Sequence, residues 1–267
     1  MGLVEHMNRF DPEKESSRIE NFIADKQSEI GFNKGIIGLS GGIDSSLTTI
    51  LSTRSLSAQD IEVVFLPEST TPERDKKDVD LLAQEFDLDV QIIKIDNFVS
   101  TFKDNLGDLS KLSVANLKAR IRMVILYAIA NEENGLVIGT GNLSESLLGY
   151  FTKYGDGAAD ISPLAHLYKA EVTSIAEYLD IPEPIITKPP SAGLWNDQTD
   201  EEELGGSYGE IDRVLYLNHD LDFGPEEVKE ELDLDPGFVE SIFARVKNSS
   251  HKREGPTGIE REETALS

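Results

Sequence analysis

Residues 35–46 read Gly35-Ile36-Ile37-Gly38-Leu39-Ser40-Gly41-Gly42-Ile43-Asp44-Ser45-Ser46. Gly35 to Leu39 is a short apolar run of the kind that forms a strand buried on both faces of a parallel sheet. The next residues are small and polar, and they lead into a helical pattern from about Asp44 to Leu56. Small residues let a backbone approach a ligand closely, and the N–H groups of a helix N-terminus attract anions. Ser40, Ser45 and Ser46 add hydroxyl donors. Asp44 would repel a bare phosphate, so a bridging Mg2+ accounts for its presence. The stretch is not a Walker A loop, because no lysine follows the glycines, and it is not the dinucleotide fingerprint either. A plain strand–helix turn capped by Asp44 or Ser45 would explain a lone Gly-Gly pair; the full string in this setting argues against it.

The flanking sequence repeats the same alternation. Asp11-Pro12 opens a helix with an N-cap and a first-turn proline, Ile19, Phe22, Ile23 and Ile30 give it an apolar stripe, and Gly31 ends it. Strands are expected at Ile61–Leu66, Val90–Ile95 and Leu136–Gly139, with a fifth, short one at Pro184–Thr187. Helices are expected at Pro72–Phe86, Ser113–Asn134 and Lys169–Leu179. Acidic helices are expected at Ser207–Leu217, Glu226–Leu232 and Phe238–Asn248. The pattern predicts an α/β protein: an open parallel sheet of about five strands, helices on both faces, and a helical C-terminal part. Residues 1–253 read as a single domain and 254–267 as a polar tail. Ligands of such sheets sit at the carboxyl ends of strands, which directs attention to the loops after Leu39, Leu66, Ile95 and Gly139.

Composition narrows the function. The 267 residues hold 50 Asp and Glu against 25 Lys and Arg, a formal net charge of −25, with four histidines and no cysteine. The absence of cysteine excludes disulfides, thiolate metal sites and cysteine nucleophiles within these residues. The acidic balance argues against a general nucleic-acid binder. No apolar run approaches the roughly 20 residues of a membrane span. The N-terminus lacks a signal-peptide pattern, and His6 breaks a myristoylation pattern, so a cytoplasmic protein is expected. Strong apolar segments oppose disorder as the cause of the charge. An acid-coated folded protein adapted to high salt, where its self-repulsion is screened, fits better than an ordinary acidic one.

The string at residues 38–46 resembles the pyrophosphate-binding loop of the N-type ATP pyrophosphatases, which cleave ATP between the α and β phosphates and activate a substrate oxygen as an adenylate. Residues 137–169, VIGTGNLSESLLGYFTKYGDGAADISPLAHLYK, resemble the signature of one branch, the NAD synthetases in their archaeal-type form. Further matches are Asn116-Leu117-Lys118-Ala119-Arg120, Pro190-Ser191-Ala192-Gly193-Leu194-Trp195, Gln198-Thr199-Asp200-Glu201 and His251-Lys252-Arg253. The resemblance spans roughly Arg18 to Arg253. It implies a Rossmann-like fold of the adenine nucleotide alpha-hydrolase type. The reaction it implies joins deamido-NAD, ATP and ammonia to give NAD, AMP and pyrophosphate.

Residue by residue, the resemblance implies that Gly38, Leu39, Ser40, Gly41, Gly42, Ile43, Asp44 and Ser45 cradle ATP phosphates, with Thr140, Lys169 and Ser191 as further ATP contacts. Asp44 and Glu145 match Mg2+ ligands. Arg120, Lys153, Asp160, His251 and Lys252 match the deamido-NAD contacts, and Asp160 is a candidate for handling ammonium. Each has an ordinary reading too: Glu145 as a helix-start glutamate, Arg120 as an exposed helix arginine, Lys169 as a solvated first-turn lysine, Ser191 as a turn residue, residues 251–253 as a basic tail. In so acidic a chain, Lys153, Lys169, Lys188, Arg120 and residues 251–253 are expected to gather where phosphates bind.

Glutamine-using relatives carry a fused nitrilase-like domain with a cysteine nucleophile. This chain is too short for that domain and has no cysteine, so free ammonia, or ammonia from a separate subunit, is the expected donor. The resemblance also implies a homodimer, with the apolar helix at Ser113–Asn134 as a candidate interface. The competing readings are another amide-forming ATP pyrophosphatase, such as the synthetase part of GMP synthetase, and a non-catalytic nucleotide-binding module. Retention of both Asp44 and Glu145 argues against the module.

Overall fold

A computed structural model describes residues 2–191 and 199–259 of the chain. A short helix, α1 (Leu3–Met7), precedes α2 (Pro12–Ile30). α2 starts as its sequence dictates: the Asp11 carboxylate accepts the Lys14 N–H at 3.0 Å, Pro12 fills the first turn, and Gly31 closes the helix with a left-handed φ of 76°. β1 (Lys34–Gly38) leads into α3 (Ile43–Ser55), β2 (Ile61–Phe65) into α4 (Glu73–Glu85), and β3 (Val90–Ile92) into α5 (Asp96–Leu106). α6 (Lys111–Glu132) then returns the chain to β4 (Gly135–Ile138) and α7 (Leu143–Leu148). The remaining elements are α8 (Lys169–Tyr178), α9 (Glu183–Ile186), α10 (Asp200–Leu204), α11 (Tyr208–His219), α12 (Pro225–Glu231), α13 (Pro236–Asn248) and α14 (Ser250–Arg253).

The sheet is parallel throughout, in the order β3-β2-β1-β4. β1, β2 and β4 read as largely apolar runs because both faces are covered, while β3 at one edge leaves Gln91 and Ile92 exposed. Ile37, Val63, Phe65 and Ile138 pack on one side with α2, α3, α4 and α8. Ile36, Val64 and Val137 pack on the other with α5 and α6. A third cluster joins α1, α7, α11, α12 and α13 around Ile211, Val214, Val228, Val239 and Ile242. The chain steps outward from β1 to β3 and then crosses back to place β4 on the other side of β1. That reversal opens a crevice at the carboxyl ends of β1 and β4.

Four strands are present among the described residues, not five. Pro184–Thr187, expected as a strand, lies in and just after the helical turn α9, where the Ile185 N–H reaches back to the Pro182 carbonyl at 2.8 Å. Prolines at 182 and 184 suit the start of a helix and remove ladder donors from a strand. β3 is shorter than Val90–Ile95, although the N–H groups of Ile93 and Ile95 still bond to the carbonyls of Phe65 and Pro67. Among the described residues, α1, α5, α7, α9, α10 and α14 add to the expected helices. In α5, Val99, Phe102 and Leu106 recur at helical spacing before Gly107. No helix among the described residues is long and apolar enough to cross a membrane. Within the late segment, residues 192–198, including Ala192, Gly193, Leu194, Trp195 and Gln198, lie outside the described residues, as do residues 260–267 of the tail.

Candidate active site

The loop after β1 turns at Gly41, whose φ of +84° is a conformation that side chains rarely adopt. A Cβ there would lie 2.7 Å from the Asp75 carbonyl oxygen. The two serines hold the turn. The Ser45 hydroxyl accepts the Ser40 N–H at 3.1 Å, donates to the Gly42 carbonyl at 3.0 Å and lies 2.9 Å from the Ser40 hydroxyl. Gly42 is the N-cap of α3 and has no side chain to satisfy the first amides of the helix, so the helix N-terminus faces the crevice. Lys188 braces the loop from outside: its ammonium donates to the Gly41 carbonyl at 3.1 Å and pairs with Asp75 at 2.5 Å and Asp78 at 2.8 Å.

Asp44 points from the first turn of α3 toward the loop after β4. There Asn142 caps α7 by accepting the Glu145 N–H at 2.9 Å, and its amide donates to one Asp44 oxygen at 2.8 Å. Lys169, the first residue of α8, is 5% exposed and donates to the other Asp44 oxygen at 2.5 Å and to Glu145 at 3.3 Å. Its ammonium also lies 5.2 Å from the centre of the Tyr208 ring. Two carboxylates from different elements thus meet on one buried cation. Burial and the neighbouring Asp44 charge push the Glu145 carboxyl up to about 8, while Lys169 pulls the other way. Both carboxylates hold Lys169 above its usual range against the effect of burial.

This donor set fits a hard divalent ion that keeps water and phosphate oxygens in its shell. Among the described residues, no group of three or more Asp, Glu or His side chains could hold a metal by itself. Asp44 and Glu145 are therefore candidates for a site that phosphate completes. Thr140 follows β4, half-buried, on the same rim. Ser191 is exposed, beside Pro190, whose carbonyl accepts the Asp200 N–H at 2.9 Å.

Of the other expected residues, Arg120, Lys153, His251 and Lys252 form a second group. Arg120 on α6 donates through two nitrogens to the Lys153 carbonyl, each at 3.3 Å. Lys153 in turn donates to the His251 carbonyl and, at 3.0 Å, to that of Glu254. His251 faces the Asn248 carbonyl at 3.1 Å. Asp160 accepts the Val137 N–H at 2.8 Å and faces the Tyr127 hydroxyl at 3.4 Å. Lys252 donates to the carbonyls of Gly149 and Phe151 at 2.6 and 2.8 Å, and burial pulls its ammonium below the usual range. Arg253 likewise caps α7 through the carbonyls of Ser146 and Leu147.

The expected gathering of cations is therefore divided. Lys169 sits between the candidate metal ligands, and Lys188 braces the glycine loop. Arg120, Lys153, His251 and Lys252 join the long helix, the loop at 149–157 and the last helical turn. Their donors reach mainly backbone carbonyls.

Several residues escape sequence reasoning. Asn142 lies inside the quoted string, but its double role as cap and Asp44 partner depends on a crossing between elements. Tyr208 is far along the chain from Lys169 and packs against it only in the fold. Arg122, half-buried on α6, donates to the Leu66 carbonyl at 3.0 Å, and burial lowers its guanidinium from the ordinary value. Its apolar neighbours in sequence give no sign of this.

Known proteins share this arrangement of elements. The family model described as NAD synthase matches residues 15–256. The NH(3)-dependent NAD(+) synthetase of Thermoplasma volcanium is 44% identical over 93% of this chain and 98% of its own length. Two solved structures are similar over 94% of the chain. One is the NMN synthetase from Francisella tularensis, with a TM-score of 0.83, 34% identity and 99% of its chain covered. The other is the NH3-dependent NAD synthetase from Campylobacter jejuni, with a TM-score of 0.80, 30% identity and 100% covered.

Proposed function

The chain belongs to the NAD synthase family, and from that premise we propose that it amidates deamido-NAD to NAD, consuming ATP and ammonia. The nicotinate carboxylate oxygen attacks the α-phosphorus of ATP, and pyrophosphate leaves. Ammonia then adds to the acyl carbon of the adenylate, loses a proton, and AMP leaves. The substrate supplies the first nucleophile, so the protein's task is to bring polyanions together and offset charge on the leaving groups.

The observation that carries this reading is the meeting of Asp44 and Glu145 on the buried Lys169, where the N-terminus of α3 faces the same crevice. Asp44 and Glu145 would hold Mg2+, which when bound supplies positive charge to the phosphate oxygens. Gly38, Leu39, Ser40, Gly41, Gly42, Ile43 and Ser45 shape the loop beside them, and Thr140, Lys169 and Ser191 flank it as ATP contacts. Lys169 bears a positive charge that can move between the carboxylates and a phosphate. Arg120, Lys153, Asp160, His251 and Lys252 are assigned to the deamido-NAD side on the family resemblance. The 267 residues contain no cysteine, so they supply no thiolate to release ammonia from glutamine.

The test supplies ATP, MgCl2, ammonium chloride and deamido-NAD to purified protein. Equal amounts of NAD and AMP are expected, and glutamine should not replace ammonium. AMP formed on xanthylate without NAD would select the GMP synthetase reading instead. The structural similarity to NMN synthetase favours one second reading, in which nicotinate mononucleotide is the preferred acid. A higher kcat/KM on the mononucleotide than on deamido-NAD would establish it.

A homodimer through α5 and α6 is part of the same proposal. α6 carries apolar residues around most of its circumference, and Val124 and Leu112 are 59% and 62% exposed. Phe98, Phe102 and Leu106 of α5 add to that surface. Exposed apolar side chains on two neighbouring helices suit a second copy. Light scattering at high salt should give twice the chain mass; a monomer would remove the dimer.

A further inference from the structure

The first amides of α8 are satisfied from outside the helix. Tyr168 stands at its N-cap and offers no side-chain cap to the helix. The Lys169 N–H donates to the Ser144 hydroxyl at 3.0 Å, and the Ala170 N–H donates to Asp212 at 3.0 Å. The Ser144 hydroxyl donates in turn to the other Asp212 oxygen at 2.5 Å. Asp212 comes from α11 in the C-terminal helical part and is 0% exposed. Ser144 is the residue before Glu145, and Lys169 is the residue whose own N–H it accepts. The two helices that present Glu145 and Lys169 are therefore joined at or beside each functional residue, and Asp212 closes the join.

We propose that Asp212, acting through Ser144, is a positioning residue that sets where Lys169 stands relative to Glu145 and Asp44. A lysine has four rotatable bonds, so its ammonium meets two carboxylates reproducibly only if its backbone is held. The carboxylate suits the task because it has two acceptor oxygens, one for the Ser144 O–H and one for the Ala170 N–H. Its negative charge also faces the positive end of α8, where an anion is favoured. Burial opposes that charge and pushes the Asp212 carboxyl up to about 6, which leaves it ionised at neutral pH. An Asn in its place can keep the Ala170 bond through Oδ1, but it turns an N–H donor toward Ser144, so the Ser144 O–H loses its acceptor and the start of α8 loses its anion.

The inference rests on Lys169 and Glu145 belonging to the ATP site. Steady-state kinetics are measured for Asp212→Asn, Ser144→Ala, the double variant and Lys169→Met, with Val214→Ala as the control. Val214 is a fully buried α11 residue outside the join. Asp212→Asn and Ser144→Ala should each lower kcat about tenfold to a hundredfold, the usual effect of removing a group that orients a functional ligand. The KM for ATP should rise and that for deamido-NAD should stay the same. The double variant should be no worse than the poorer single one, since both break one join. Val214→Ala should lose melting temperature yet keep kcat. Ser144→Ala carries the test if Asp212→Asn does not fold.

The inference is overturned if the two variants keep kcat, or if Val214→Ala loses as much kcat at a matched loss of melting temperature. If Lys169→Met abolishes turnover while the join variants keep it, this inference alone fails. If Lys169→Met turns over normally, the reading of the site fails and takes the inference with it.

Discussion

Asp44 is an acidic residue in an anion-binding turn, and its presence there demands an explanation. Its geometry makes the demand specific, since both oxygens are already engaged, one by Asn142 and one by Lys169. Asp44→Asn should lower AMP release by at least about a hundredfold, as loss of a metal ligand or its partner does. An assay of AMP against MgCl2 concentration checks it. Asp212 makes a pH-dependent contribution of defined sign. Its folded carboxyl is raised from 3.8 to about 6, so the folded state binds its proton more tightly than the unfolded state does. The stability this confers is present in full below about pH 3.8 and is lost as pH rises through 6. It amounts to no more than about 3 kcal/mol. Urea unfolding across mildly acidic to neutral pH should therefore show wild type losing ground to Asp212→Asn until the pH passes about 6, and then running parallel. A constant difference across that range would contradict the shift.

Elements differ in how openly the sequence declares them. α2 carries its own cap, stripe and terminating glycine, and it forms as read. The apolar runs of β1, β2 and β4 are equally plain, because the residues these strands bury on both faces are apolar. The segment at 184–187 is equally apolar, and only Pro184 and the preceding Pro182 separate a helical turn from a strand. α5 is harder to read because its polar residues obscure Val99, Phe102 and Leu106. The turn between β1 and α3 is the element most exposed to a single change. Gly41→Ala should cost about 1–2 kcal/mol for the left-handed backbone alone. It costs more where the Asp75 carbonyl must move from 2.7 Å. A lowered urea midpoint together with a raised KM for ATP is the expected result, since the same backbone faces the crevice.

For the whole molecule, 50 acidic residues against 25 basic ones is the dominant physical fact. Exposed pairs such as Arg18–Glu15 and Lys26–Glu29 contribute little and weaken with salt. Repulsion among the excess acids also weakens with salt, and it destabilises the fold. The excess of acids means that the second effect wins. The melting temperature should rise by roughly 5–10 °C between about 0.1 and 2 M KCl, the shift expected from about 2–3 kcal/mol in a chain of this size. A fall over that range would show that the ion pairs dominate and would remove the reading of salt adaptation.

The sequence by itself determined the α/β alternation, the glycine loop with its aspartate, the second carboxylate in its quoted string, and the lack of a thiol. Each is a period or a turn set by residues within a few positions of one another, or a count over the chain. Only the tertiary structure decided that Lys169 lies between Asp44 and Glu145, that Lys188 braces Gly41, and that Asp212 joins two helices 68 residues from its partner Ser144. Those contacts depend on where the crossover placed β4 and how the C-terminal helices packed on α7 and α8. Side-chain packing over such separations leaves no period in the chain from which to read it.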